Sequence, residues 1–237
     1  MSPLPITLVG ATGLTGSATL HALLQTKTVP FSITTIARKP IQPGQASHPE
    51  TRFSHNLVSD LFTTPLGKVA EKGAVYISCL GTTRATAGGI EAQEKLDLGL
   101  NRDLAKKAKE DGAKGIILVS SAGTSAGSKL PYGRMKGQLQ EDVKAMDFDS
   151  CVILRPAMLL GPRNESRPAE YVAQNLFRGL RSVGLPMSSL CVDADDVGAC
   201  IAHFAANLPS GKVTIVENAQ IIQIAKEWRQ ANGQAKH

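Results

Sequence analysis

The sequence predicts an open, doubly wound α/β sheet with parallel strands, and three observations predict it. Short apolar runs alternate with helix-patterned stretches along all 237 residues. The runs are almost continuously apolar, as strands must be when helices cover both faces of a parallel sheet. The first run also passes through a glycine-rich turn straight into a helix, in the strand–turn–helix order of this class.

Taken along the chain, strands are expected at Ile6–Val9, Ser32–Ala37, Val75–Leu80, Gly115–Ser120, Cys151–Leu154 and Lys212–Val216, with a weaker one at Arg52–His55. Helices are expected between them at Thr15–Leu24, Glu91–Asp111, Tyr132–Met146, Ala169–Arg181, Asp196–Ala206 and Ala219–Arg229. Pro131 suits the first turn of the third helix. The loops Lys39–Glu50 and Ala122–Pro131 are rich in Gly, Pro and Ser and read as edges of a binding site. No linker-like break, repeat or low-complexity segment divides the chain, so residues 1–237 read as one domain.

Composition narrows the function classes. Hydrophobic residues are 42% and charged residues 19%, enough for a full core and unlike a disordered chain. Aromatics are only 4%, which disfavours stacking on single-stranded nucleic acid. No apolar run approaches the roughly 20 residues of a membrane span. Met1 to Pro5 carries no basic amphipathic presequence, so an uncleaved intracellular, cytoplasmic protein is expected. Cys79, Cys151, Cys191 and Cys200 form no CxxC pair and read as reduced, buried thiols, not as a disulfide or zinc framework. The net charge of +6 suits anionic ligands. The densest basic stretch, Lys106, Lys107 and Lys109, alternates with acidic residues and reads as a solvated helix face.

The turn Gly10-Ala11-Thr12-Gly13-Leu14-Thr15-Gly16 is a phosphate cradle by type. Glycines let backbone approach a pyrophosphate, and a helix N-terminus offers free N–H groups and a positive dipole end. Glycine spacing alone is a weak signal; its place at the first strand-to-helix turn gives it weight. Arg38, which ends the next strand 22 residues beyond Gly16, and Lys39 stand where an NAD-selective protein carries Asp or Glu. A guanidinium there forks onto a 2′-phosphate and an ammonium adds a point charge, so NADP(H) is the expected cofactor.

Tyr132 and Lys136 are four residues apart and share one helix face. An ammonium beside a phenol favours the phenolate, and a tyrosine so placed passes a proton to or from a substrate oxygen as hydride moves. Lys136 also suits the nicotinamide ribose hydroxyls. Ser121 lies at the carboxyl end of the preceding strand, where open α/β sheets bind ligands, and its hydroxyl suits the same substrate oxygen. The plain alternative is a packed helix-start tyrosine with a solvated lysine.

With the glycine turn, Ser121, Tyr132 and Lys136 in this order, the sequence resembles the short-chain dehydrogenase/reductase superfamily in its atypical branch. Cys79-Leu80-Gly81-Thr82-Thr83-Arg84, Leu154-Arg155-Pro156 and Gly161 to Glu170 sharpen this. Together with the weaker Val216-Glu217-Asn218-Ala219, they are similar to the Tat-interactive-protein oxidoreductases and their fungal relatives on the mitochondrial outer membrane. The resemblance implies a Rossmann-type sheet with a small C-terminal substrate region from about residue 157. It also implies Leu80, Gly81 and Thr82 along the cofactor, Asn56 near the adenine, Pro156 to Met158 beside the nicotinamide, and peripheral membrane contact. Asn56 replaces an aspartate common at the adenine site, and Asp97 falls on the central helix where many relatives carry Asn.

Other polar clusters read as structural. Arg163 and Arg167 with Glu165 and Glu170 read as an internal ion-pair network, and Asp193, Asp195 and Asp196 as helix capping and not a cation site. His21 and His203 lack partners at metal-ligand spacing. The expected activity is NADPH-dependent hydride transfer to or from a small carbonyl or alcohol, with no nucleic acid and no metal. An NADPH-sensing interaction protein without turnover and a non-redox isomerase or cyclase remain the alternatives, because fold does not fix function.

Overall fold

Neighbouring residues of a strand point to opposite faces of its sheet, and here each face meets its own set of helices. The computed structural model describes residues 2–63, 67–161, 190–211 and 213–234. The elements in order are β1 (Leu4–Val9), α1 (Leu14–Leu24), β2 (Phe31–Ala37), β3 (Arg52–Leu57), β4 (Val75–Ser78), α2 (Arg84–Ala87) and α3 (Ile90–Glu94). A π-helical segment (Lys95–Leu100) then leads into α4 (Asn101–Glu110), β5 (Gly115–Val119), α5 (Pro131–Ala145), β6 (Ser150–Arg155) and β7 (Met158–Leu160). β8 (Cys191–Asp193), α6 (Ala194–Ala206), β9 (Val213–Glu217) and α7 (Asn218–Asn232) complete the described chain. The helix expected at 169–181 lies outside the described residues.

Among the described residues seven strands form one sheet in the order β3-β2-β1-β4-β5-β6-β9, and every neighbouring pair is parallel. The chain works outward from β1 through β2 to β3, then crosses back to β4 on the other side of β1. That reversal leaves a crevice outside the carboxyl ends of β1 and β4, where ligands bind in sheets of this kind. β7 and β8 pair as a separate two-stranded parallel sheet that the sequence reading did not foresee.

The core divides as the alternation demands. Ile6, Leu8, Ile33, Ile77, Ile117, Val152 and Leu154 pack on one face with Leu20 and Leu23 of α1, Val197 and Ile201 of α6, and Ile221 and Trp228 of α7. Tyr76, Ile116, Leu118, Cys151 and Ile153 take the other face with Leu104 and Ala108 of α4 and Leu139 and Val143 of α5. β4 and β5 are buried at every position, which is why both read as unbroken apolar runs. β3, at the edge, is mostly exposed and polar, which discourages pairing with a further strand.

The basic stretch on α4 is a paired, solvated face. Lys107 pairs with Asp111, Lys106 lies 4.0 Å from Glu110, and Lys109 donates to the Asp147 carbonyl at 2.7 Å. No disulfide joins the four cysteines, and only Cys151 and Cys200 are buried as expected, whereas Cys79, just past the end of β4, and Cys191, at the start of β8, are half-buried. Desolvation pushes Cys79 up to about 12 and Cys151 to about 11. No described helix is long and apolar enough to cross a membrane. Among the described residues no cluster of His, Cys, Asp or Glu could hold a metal ion.

Candidate active site

The turn after β1 is shaped by side chains that are not there. Gly10 has φ +80°, and a Cβ on it would lie 2.6 Å from the Cys79 carbonyl group. The backbones leaving β1 and β4 therefore touch at the switch point. A Cβ on Gly16 would lie 2.0 Å from the Gly10 carbonyl oxygen, so the first turn of α1 closes directly onto the loop. Gly13 occupies the N-cap with no side-chain cap, and no acidic residue sits in the first turn. Thr12 and Gly13 are exposed, Leu14 is half-buried, and Thr15 and Gly16 are buried.

Arg38 and Lys39 are exposed just past the end of β2. Asn56 is exposed on β3, in register with Ile36. Asp60, in the turn after β3, accepts from the Phe62 N–H at 3.1 Å and the Thr63 hydroxyl at 2.8 Å. Those bonds hold its carboxyl below the ordinary value, and the Arg38 charge adds a smaller pull in the same direction. The loop 39–50 only begins at this edge. Its second half is tied to the far end of α1, where Ser47 N–H donates to the Leu24 carbonyl at 2.8 Å.

The loop after β4 is held from below by the π-helical segment and its neighbours. Asp97 Oδ1 accepts from the Thr82 N–H at 2.8 Å, Gln93 Nε2 donates to the Thr82 carbonyl at 3.0 Å, and Asn101 Nδ2 donates to the Leu80 carbonyl at 3.2 Å. Asp97 is fully buried, and its Oδ2 lies 3.3 Å from Lys136 Nζ. Burial raises the Asp97 carboxyl, against the opposing pull of Lys136 and the Thr82 N–H. Gly81 stands over this pair: a Cβ there would be 3.5 Å from Lys136 Nζ.

Tyr132 and Lys136 sit in the first turns of α5, as their spacing requires. Tyr132 is 42% exposed and Lys136 only 5%. Ser121 is half-buried, just past the end of β5. A Cβ on Gly137 would lie 2.0 Å from the Ser125 carbonyl carbon, so the 121–130 loop rests on the helix backbone. Behind Ser121, the buried Gln140 donates to the Ser120 and Thr124 hydroxyls, both at 2.7 Å, and accepts from Arg155 Nε at 2.9 Å. Pro156 is buried, its carbonyl accepts from the Ala122 N–H at 2.9 Å, and Met158 is exposed on β7.

The structure thus gathers the glycine turn, the β4 loop, Ser121, Tyr132, Lys136 and Pro156 at the carboxyl end of the sheet. Arg38, Lys39 and Asn56 stand at the β2–β3 end of the same edge. The sequence reading gave no role to Asn101, Gln140 or Arg155. Gln140 was within reach, since Tyr132, Lys136 and Gln140 repeat every four residues along one face. The aspartates at the start of α6 do not all cap it as expected. Asp193 takes the N-cap position but makes no side-chain cap bond, whereas Asp196 accepts from Arg229 at 2.6 Å, so that position pairs with α7. Arg163, Glu165, Arg167 and Glu170 lie outside the described residues.

No protein-family model matches the chain. It is 37% identical over 233 residues to "Protein fmp52-1, mitochondrial" of Aspergillus terreus, covering 94% of this chain and 99% of that one. It is 36% identical over 242 residues to "Protein fmp-52, mitochondrial" of Neurospora crassa, covering 97% and 98%. Among solved structures, MoeE5 in complex with UDP-glucose and NAD superposes with a TM-score of 0.65 at 15% identity, over 97% of this chain and 82% of that one. That likeness shows a shared parallel α/β sheet fold. The near full-length similarity to the fungal proteins establishes that the chain belongs to the fmp52 family, whose members are named as mitochondrial.

Proposed function

We propose that this chain is an NADPH-dependent oxidoreductase that transfers hydride to or from a small carbonyl or alcohol. What supports the reading is that Tyr132 and Lys136 in the first turns of α5, Ser121 just past β5 and the Gly10–Gly16 turn after β1 all lie at the carboxyl end of one parallel sheet. The residues present fit a dinucleotide. Gly10, Thr12, Gly13, Leu14, Thr15 and Gly16 offer a helix N-terminus free of side-chain caps to the pyrophosphate. Arg38 and Lys39 suit a 2′-phosphate, Asn56 the adenine edge, and Leu80, Gly81 and Thr82 the stretch between. Pro156 and Met158 flank the nicotinamide end, and the region from about residue 157 supplies the substrate side.

When bound, the cofactor supplies or accepts the hydride. In the reducing direction, the Tyr132 hydroxyl gives its proton to the carbonyl oxygen, and the Ser121 hydroxyl donates a hydrogen bond to the same atom. Lys136 holds the ribose hydroxyls and stabilises the phenolate left behind. Asp97 does not relay this proton; its carboxylate is committed to Lys136 and the Thr82 N–H. The relatives' names support a mitochondrial setting, and we place the chain peripherally there; alkaline extraction that leaves it membrane-embedded would oppose this.

Calorimetric titration with NADPH and NADH is the first test, with NADPH expected to bind at least about tenfold tighter. Indifference to both would end the proposal. Tyr132→Phe is expected to lower turnover about a hundredfold or more while NADPH affinity stays within about twofold. Unchanged turnover in that variant would remove Tyr132 from its role. Product formation without net NADPH loss would move the assignment to an isomerase.

A further inference from the structure

Hydrogen-bond donors and acceptors behind Ser121 can be assigned a direction, and the direction is forced. Arginine carries donors only. Arg155 gives Nη1 to Glu217 Oε1 at 3.1 Å, and gives Nε and Nη2 to Gln140 Oε1 at 2.9 and 2.6 Å. The Gln140 amide is therefore oriented, with its oxygen toward Arg155 and its NH2 toward β5. That NH2 gives one hydrogen to Ser120 Oγ and one to Thr124 Oγ1, so both hydroxyls are acceptors here. The Thr124 proton is left for the Ser121 carbonyl, 2.8 Å away. The other end of the same peptide group, the Ala122 N–H, is held by the Pro156 carbonyl. Gln140 is 1% exposed, and Ser120 and Thr124 are buried, so water does not compete for these atoms.

We infer that Gln140 and Arg155 are positioning residues: through Thr124 they lock the peptide after Ser121 and so set where the Ser121 hydroxyl points. The inference rests on the proposed role of Ser121 toward the substrate oxygen. The directed chain runs from β9 through β6 and α5 to the loop after β5, so four elements agree on one peptide plane. Among the described residues the Ser121 hydroxyl takes no part in this chain of bonds, which leaves it to a ligand.

The test reverses the polarity without changing the size. Gln140→Glu keeps the acceptor for Arg155 but has no hydrogen to give, so the Ser120 and Thr124 hydroxyls turn toward the carboxylate and the Ser121 carbonyl loses its donor. Thr124→Val removes the same donor directly, and Thr124→Ser keeps it. Hydrogen exchange at the Ala122 amide is expected to quicken about tenfold or more in Gln140→Glu and Thr124→Val, locally to 120–126, and to stay as in wild type in Thr124→Ser. With NADPH and a panel of hexanal, benzaldehyde and menadione, kcat is expected to fall about tenfold to a hundredfold in the first two variants. NADPH affinity stays within about twofold, and Thr124→Ser keeps the wild-type rate. A purely structural role would instead lower the melting temperature and loosen the whole domain together. If Gln140→Glu does not fold, the Thr124→Val and Thr124→Ser pair decides. Wild-type protection of Ala122 in folded Thr124→Val overturns the inference. Absence of NADPH binding and turnover in the wild type overturns the proposed function alone, because the exchange measurement needs neither.

Discussion

The turn after β1 and the loop after β5 solve one problem by opposite means. Both must hold a polypeptide in a fixed shape at the mouth of the crevice. The first does so by omission: Gly10 and Gly16 lack the Cβ that would keep backbone from meeting backbone. The second does so by addition, with Gln140, Arg155, Ser120 and Thr124 filling the space behind Ser121 with directed hydrogen bonds. A backbone-built site tolerates no added atom, whereas a side-chain-built site tolerates no changed donor.

The largest effect should come from adding one atom to the first. Gly16→Ala places its Cβ against the Gly10 carbonyl, and about 3 kcal/mol of stability should be lost in urea unfolding. NADPH affinity should fall by at least about tenfold. A fully stable Gly16→Ala protein would break the contrast at its root. The second region should respond differently. Arg155→Met strands the buried Gln140 oxygen and should cost about 2 kcal/mol, yet leave NADPH affinity within about twofold. Equal loss of cofactor binding in both variants would mean that the two regions act as one unit.

The smallest effect calibrates both from a distance. Asp111 is partly buried, which works against its charge, but Lys107 and the Val69 and Ala70 N–H groups outweigh that and hold its carboxyl below 3.8. A depressed carboxyl stabilises fully above its unfolded value, and the contribution is lost as pH falls through the lower folded value. Asp111→Asn should cost about 1 kcal/mol at pH 7, flatten the acid limb below about pH 4, and leave NADPH binding untouched.

The same contrast explains what could be read from the sequence. Glycines at Gly10, Gly13 and Gly16 announce themselves because no other residue fits, and buried parallel strands announce themselves as apolar runs. All six stronger strands lie within two residues of their expected places in the described chain, and the weak Arg52–His55 signal is the exposed edge strand β3. β7 and β8 are three residues each, too short to show a period. Tyr132 and Lys136 were legible because i and i+4 spacing fixes a shared face. Gln140 lay on that face too, but its role depends on Arg155, which meets it only through the β5–β6 pairing. The helix at 91–111 was legible as helix, but its break into α3, a π-helical segment and α4 was not, since the apolar pattern runs through all three.

That widened segment has a consequence for how the family can vary in length. Asp97 and Asn101 reach the β4 loop together, one receiving from Thr82 and the other giving to Leu80. A π turn carries one residue more than the ordinary helix around it. Deleting a single residue between 95 and 100 would restore a regular helix and swing Asp97 roughly 100° away from Lys136. Natural insertions and deletions should therefore be borne by the connections on either side, and this stretch should keep its count.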